Sequence, residues 1–143
     1  MSISENISEN IVAIVTVFGF AITILTLKKG RKDLAISNVI ELQKLLIEYS
    51  DIHTNLLPDG DWNKSEFRIE NLSVNEFSKF NSYFGVFEIA KLMIDNNSLS
   101  KEEFKIFFEY RLSNLKNCKP AMENINGSKK NWKNLLELIE LVK

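Results

Sequence analysis

Residues 72–104 read LSVNEFSKFNSYFGVFEIAKLMIDNNSLSKEEF, and the pattern L-S-x-x-E-F stands at both ends of this stretch. In Leu72-Ser73-Val74-Asn75-Glu76-Phe77, Ser73 is placed to cap a helix and Glu76 to reach back to the cap backbone. Leu72 and Phe77 are spaced to close a hydrophobic staple around that first turn. Leu99-Ser100-Lys101-Glu102-Glu103-Phe104 repeats every element. Two helices follow, predicted over 74–95 and 101–117. The first carries Phe77, Phe80, Phe84, Phe87 and Ile94 on one side, broadened by Tyr83, Ile89, Ala90 and Met93. Asp95-Asn96-Asn97-Ser98 ends it. The second places Phe104, Phe107, Phe108, Leu112 and Leu115 on a buried face, and Asn117, Lys119 and Pro120 close it. The repeat fades after each Phe, so it reflects capping chemistry rather than a duplicated domain.

Toward the C-terminus, Pro120–Asn124 suggests a short helical turn, and Asn126-Gly127-Ser128 a break. A last helix over 129–142 aligns Trp132, Leu135, Leu136, Ile139 and Val142. Toward the N-terminus, His53–Asn71 is the least regular segment. Pro58-Asp59-Gly60 reads as a turn within it, and Trp62, Phe67 and Ile69 are candidates to pin it to the core. From Asp33 to about Ile52 the spacing of Ala35, Val39, Leu42, Leu46 and Tyr49 is helical, with Ile36, Ile40 and Ile47 widening the stripe.

Upstream of that helix, Ile11–Leu27 (IVAIVTVFGFAITILTL) has no charged residue. Its length lies at the lower limit of about 17 residues for a membrane-crossing helix. Lys28, Lys29, Arg31 and Lys32 follow it, whereas the first ten residues hold Glu5 and Glu9 and no Lys or Arg. Basic residues gather on the cytoplasmic side of spans, so the N-terminus is expected outside and the remainder in the cytoplasm. A cleaved signal peptide would need a basic start and a small-residue cleavage site, both missing here. Gly30 costs a helix only about 1 kcal/mol, so span and following helix are expected to form a continuous or slightly bent rod. Within the span, Thr16, Gly19, Thr23 and Thr26, extended by Ala13, form a small-residue stripe suited to self-association.

Residues 33–143 hold 14 Lys/Arg and 17 Asp/Glu, a charge of −3 that gives no basis for nucleic-acid binding. Cys118 is the only cysteine, which excludes an internal disulfide and a thiolate metal cluster. The five glycines are isolated, so no phosphate-binding loop exists and no cofactor is expected. His53, the only histidine, lies near Asp51, Asp59 and Asp61, a set able to imitate a hard-metal or acid/base site. The spacing matches no EF-hand or zinc motif, and turns are rich in Asp for their own reasons. Glu88 with Lys91, and Arg111 with Glu109, are read as helix-surface pairs. Glu88 is also placed to be half-buried against a polar partner.

Phe80-Asn81-x-Tyr83-Phe84-x-x-Phe87-Glu88-Ile89-Ala90, a short polar break and a Phe-rich helix ending near Arg111 make residues 77–125 resemble an uncharacterised family of small bacterial and phage proteins. The resemblance covers about a third of the chain. It implies an N-terminal span followed by a helical cytoplasmic domain, and it supplies no activity or catalytic residues.

The expected fold is all-α, with a single N-terminal transmembrane helix followed by a four- or five-helix cytoplasmic bundle. Residues 1–10 would be an extracytoplasmic tail, 11–27 the span, 28–32 a basic juxtamembrane flank and 33–143 the cytoplasmic domain. The expected function is a non-enzymatic module at the inner (cytoplasmic) membrane, binding a protein partner or regulating there, with self-association into a homodimer. Two alternatives stand beside it: a membrane-active effector or toxin in phage–host conflict, and a hydrolase built on His53 and its aspartates.

Overall fold

The capping boxes set the architecture. In the computed structural model, which describes residues 3–142 and the side chains of residues 25–142, helix α3 spans Val74–Asp95 and helix α4 spans Lys101–Asn117. Both start where the L-S-x-x-E-F pattern puts them. Ser73 N–H donates to Glu76 Oε2 at 2.8 Å, and Glu76 N–H donates to Ser73 Oγ at 3.3 Å. Ser100 and Glu103 exchange the same bonds at 2.9 and 3.1 Å. These hydrogen bonds hold both carboxyls below the ordinary glutamate range.

α3 ends in a Schellman motif. Asn97 takes a positive φ of 57°, Ser98 N–H reaches Met93 O at 2.9 Å, and Asn97 N–H reaches Ile94 O at 3.0 Å. Asn is, after Gly, the residue that best tolerates this conformation. The chain thus reverses within Asn96–Ser98 and feeds α4.

Two compact units divide the chain, Met1–Leu34 and Ala35–Lys143. Helix α1, Ile3–Glu48, is assigned without a break through Gly30. Among the described residues no helix is both long and apolar enough to cross a membrane. The expected transmembrane helix is therefore not supported by the structure. Most of Ile11–Leu27, up to Ile24, lies outside the described side chains. From Lys28 onward α1 carries Lys29, Arg31, Lys32, Asp33, Glu41, Lys44 and Glu48, which no span tolerates.

The second unit is all helical among its described residues. Helix α2, Ser50–Asn55, follows α1 after Tyr49, whose φ/ψ of −111°/30° takes it off the regular helix. His53 N–H still reaches Tyr49 O at 3.1 Å, so the break is a change of direction and not a loop. The expected single helix from Asp33 to Ile52 is thereby divided. The irregular segment contributes two 3-10 turns, Asp61–Asn63 and Ile69–Asn71. Gly60 is obligatory in this connection, because a Cβ there would strike the Thr54 and Asn55 carbonyls. Helix α5 covers Lys119–Gly127, longer than the expected turn, with Pro120 in its first turn where no N–H is missed. Helix α6, Lys133–Glu140, is shorter than expected.

One core joins these elements. Phe80, Tyr83, Phe84 and Phe87 of α3 meet Leu42 and Leu46 of α1, Phe104 and Phe108 of α4, and Leu135 and Leu138 of α6. Phe80 and Phe84 lie with ring centroids 4.3 Å apart, and Trp62 packs edge-on to Phe80 at 4.9 Å. Asn38 of α1 donates to Ser98 O at 2.8 Å, fixing α1 against the α3–α4 junction.

Two buried-edge polar residues on α3 hold α6. Glu88 Oε1 accepts from Leu135 N–H at 2.7 Å, serving as a remote cap for a helix that has no side-chain cap of its own. Glu88 is half-buried with a polar partner, as expected. Lys91 does not pair with it. Its ammonium instead bridges Asp95 at 2.7 Å and Glu137 of α6 at 2.9 Å.

Candidate functional site

The short α2 carries His53 to a corner where α3 supplies Tyr83 and α4 supplies Tyr110 and Arg111. His53 Nδ1 lies 3.2 Å from the Tyr83 hydroxyl. The Tyr110 ring meets the imidazole edge-on, with centroids 5.8 Å apart at 70°. The Arg111 charge acts on the Tyr83 hydroxyl.

Burial and the Arg111 charge both disfavour the imidazolium, and His53 falls to about 4. Burial pushes Tyr83 up to about 12 against the opposing pull of Arg111. Both rings are neutral at physiological pH. The charge of the cluster is the guanidinium alone, and its Nη1 is buried with no acceptor. One turn further along α4, Asn114 is 6% exposed and its Nδ2 also lacks an acceptor.

Two of the three aspartates near His53 in sequence pair with lysines, and Asp59 is exposed. Asp51 pairs with Lys79 of α3 at 3.1 Å; burial is the largest single influence and opposes its ionisation, but the Lys79 hydrogen bond and charge together with backbone N–H donors outweigh it and the carboxyl titrates low. Asp61 pairs with Lys64. Among the described residues no three His, Cys, Asp or Glu side chains gather where they could hold a metal ion. His53 therefore finds a tyrosine and an arginine where the sequence suggested carboxylates. Cys118 is buried against the Trp62 carbonyl, and burial pushes its thiol up, away from reactivity.

Of the other residues singled out by sequence, Lys28, Lys29, Arg31 and Lys32 are all exposed, as is Thr26. Thr16, Gly19 and Thr23 lie outside the described side chains. A cleft of about 700 Å³ opens between the 62–70 connection and α5, with Trp62, Phe67, Arg68, Lys119 and Glu123 on its walls. Its size suits a small ligand. Its charges are of both signs, with Lys119 facing Glu123 at 3.8 Å.

The outer flank of α4 is unexpectedly apolar. Ile106 is 76% exposed, Phe107 48% and Tyr110 65%. Phe107, expected in the core, falls on this flank because Phe104, Phe108, Leu112 and Leu115 already fill the inward stripe.

Tyr83 and Arg111 were not expected to act together. Arg111 carried one legible signal: it is three residues after Phe108 and four before Leu115, in phase with the buried stripe, where an arginine needs a partner. The chain matches no family model, no curated protein and no solved structure. The functional reading accordingly rests on this chain's own side chains.

Proposed function

We propose that the protein is a non-enzymatic helical binding module, tethered by Ile11–Leu27 to the inner face of a cytoplasmic membrane, that docks a protein partner through α4. The observation that carries the binding role is the flank of Ile106, Phe107 and Tyr110, three large side chains left in solvent on a helix whose opposite side is fully packed. Clustered exposed hydrophobics of this kind are typical of interaction surfaces, and aromatic residues with arginine dominate interface energetics. The tether is supported by the uncharged run itself and by the four basic residues that follow it. His53 meets Tyr83 and Tyr110 while Asp51 and Asp61 pair with lysines, which favours a structural and recognition role over hydrolysis.

Site-specific photocrosslinking in membranes tests the reading. A crosslinker at Ile106 or Phe107 should capture a discrete partner band, and one at exposed Lys129 should not. Equal capture at all three positions, or none at the α4 sites, contradicts it.

A further inference from the structure

We infer that Lys28, Lys29, Arg31 and Lys32 form a docking surface for the headgroups of anionic phospholipids, so that the chain gathers acidic lipid around its tether. The inference rests on the tether proposed above and names the class of lipid that surrounds it.

Charge decides the sign of the partner. Residues 28–33 read KKGRKD, four basic residues against one acidic, and they follow Leu27 directly. All four basic side chains stand in solvent along α1. Lys28 and Lys32 are four residues apart, and Lys28–Arg31 and Lys29–Lys32 three, so neighbouring cations share a face. Together they wrap roughly half of the helix circumference. Gly30 stands among them, and the space where its Cβ would be is open. Among the described residues Lys28, Lys29 and Lys32 pair with no carboxylate, so their charge is left for an outside partner. Residues 33–143 offer no such attraction, because they carry a charge of −3, which an anionic surface repels.

Geometry decides that the anion is a lipid headgroup. The step from Lys28 to Lys32 covers about 6 Å of helix axis at 1.5 Å per residue. The polar layer on each side of a bilayer's hydrocarbon is about 5–8 Å deep. With Ile11–Leu27 in the hydrocarbon, the whole cluster lies within that one layer. The same 6 Å is shorter than the Debye length, about 10 Å at 0.1 M salt, so the charges act on the same headgroups together. Lysine stems lie along apolar lipid while the ammonium reaches the phosphate. The Arg31 guanidinium matches a phosphate through two parallel hydrogen bonds. Basic clusters of this size beside a span recognise acidic lipid by charge density. A free phosphate ion meets the same side chains but lacks the layer that concentrates it beside them.

Spin-labelled lipids test the selection, with the full-length chain reconstituted in phosphatidylcholine vesicles. Electron paramagnetic resonance separates lipid immobilised against the protein from free bilayer lipid. Spin-labelled phosphatidylglycerol should associate about threefold more strongly than spin-labelled phosphatidylcholine in 0.1 M NaCl, and the two should become nearly equal in 1 M NaCl. Lys28→Gln, Lys29→Gln, Arg31→Gln and Lys32→Gln combined should abolish the preference and keep the immobilised lipid. All four are exposed, so the combined variant should fold as the parent does. Lys129→Gln, Lys130→Gln and Lys133→Gln combined, in a second exposed basic run, should leave the preference intact. Equal association of the two lipids in the parent chain would overturn the inference. So would a preference that survives the change at residues 28–32 or disappears with the change at residues 129–133. Inorganic phosphate in place of chloride at equal ionic strength should leave the preference unchanged; its loss would assign the cations to free phosphate and overturn the lipid. No immobilised lipid of either kind would refute the tether and the inference with it, whereas immobilised lipid without selectivity refutes the inference alone.

Discussion

The helices α3 and α4 begin with the same six-residue pattern and end in different surroundings. Both capping boxes are complete to the last hydrogen bond. Yet the staple of α4 is buried, with Leu99 at 2% and Phe104 at 1% exposure, while in α3 Phe77 stands 37% exposed. Leu72 packs only partly against the core. The local pattern decides where a helix starts; the bundle decides what the staple is worth. Phe104 joins the core with Leu42 and Leu46 of α1 and Val86 and Phe87 of α3, whereas Phe77 stays at its edge.

Substitutions that separate these two contributions should differ widely in size. Phe104→Ala should cost about 3–5 kcal/mol, the loss of a fully buried aromatic with its cavity, whereas Phe77→Ala should stay below about 1 kcal/mol. Urea titration of both variants measures this, and equal losses would erase the distinction drawn between the starts. Glu88→Ala removes the acceptor for Leu135 N–H and should cost about 1.5–3 kcal/mol, as charge-assisted bonds do. Hydrogen exchange should localise that loss to α6; uniform exchange across the bundle would contradict the remote-cap role. Ser73→Ala and Ser100→Ala should each cost about 1 kcal/mol, nearly alike despite the unequal staples. A much larger loss at Ser100 would mean that cap and staple are coupled.

The pH effect is comparable with the loss of one cap. His53 titrates lower in the fold than its free value of 6.5, at about 4. Its contribution is therefore fully present above about 6.5 and is lost as pH falls toward 4. Because the ring is only half-buried, screening limits the change to about 1 kcal/mol. His53→Phe should flatten the denaturation midpoint between pH 6.5 and 4 relative to the parent chain. An unchanged slope would place the titration elsewhere.

Much of the fold was legible in these residues because helix starts are written locally. Ser73, Glu76, Ser100 and Glu103 gave the starts of α3 and α4, and the Asp95–Ser98 run marked the turn between them. Length was less legible where no cap is written: α6 begins at Lys133 behind an uncapped Trp132, and depends on Glu88 of another helix. Phe77 and Phe107 were assigned to the core because periodicity counts apolar residues without knowing how wide a stripe the neighbours can cover. The site was legible only in part. His53 was singled out, but its partners come from α3 and α4, and nothing near it in sequence names Tyr83 or Arg111. Asp51 and Asp61, beside it in sequence, point instead to Lys79 and Lys64.

The proposed tether is the most consequential step, because docking at a membrane face would require the chain to be held there. Alkaline carbonate extraction of membranes from cells expressing the full chain tests it directly. The expected result is retention of the protein in the pellet and release only by detergent, with replacement of Val15 and Phe18 by Lys moving it to the supernatant. Recovery of the unmodified chain in the carbonate supernatant would contradict the tether.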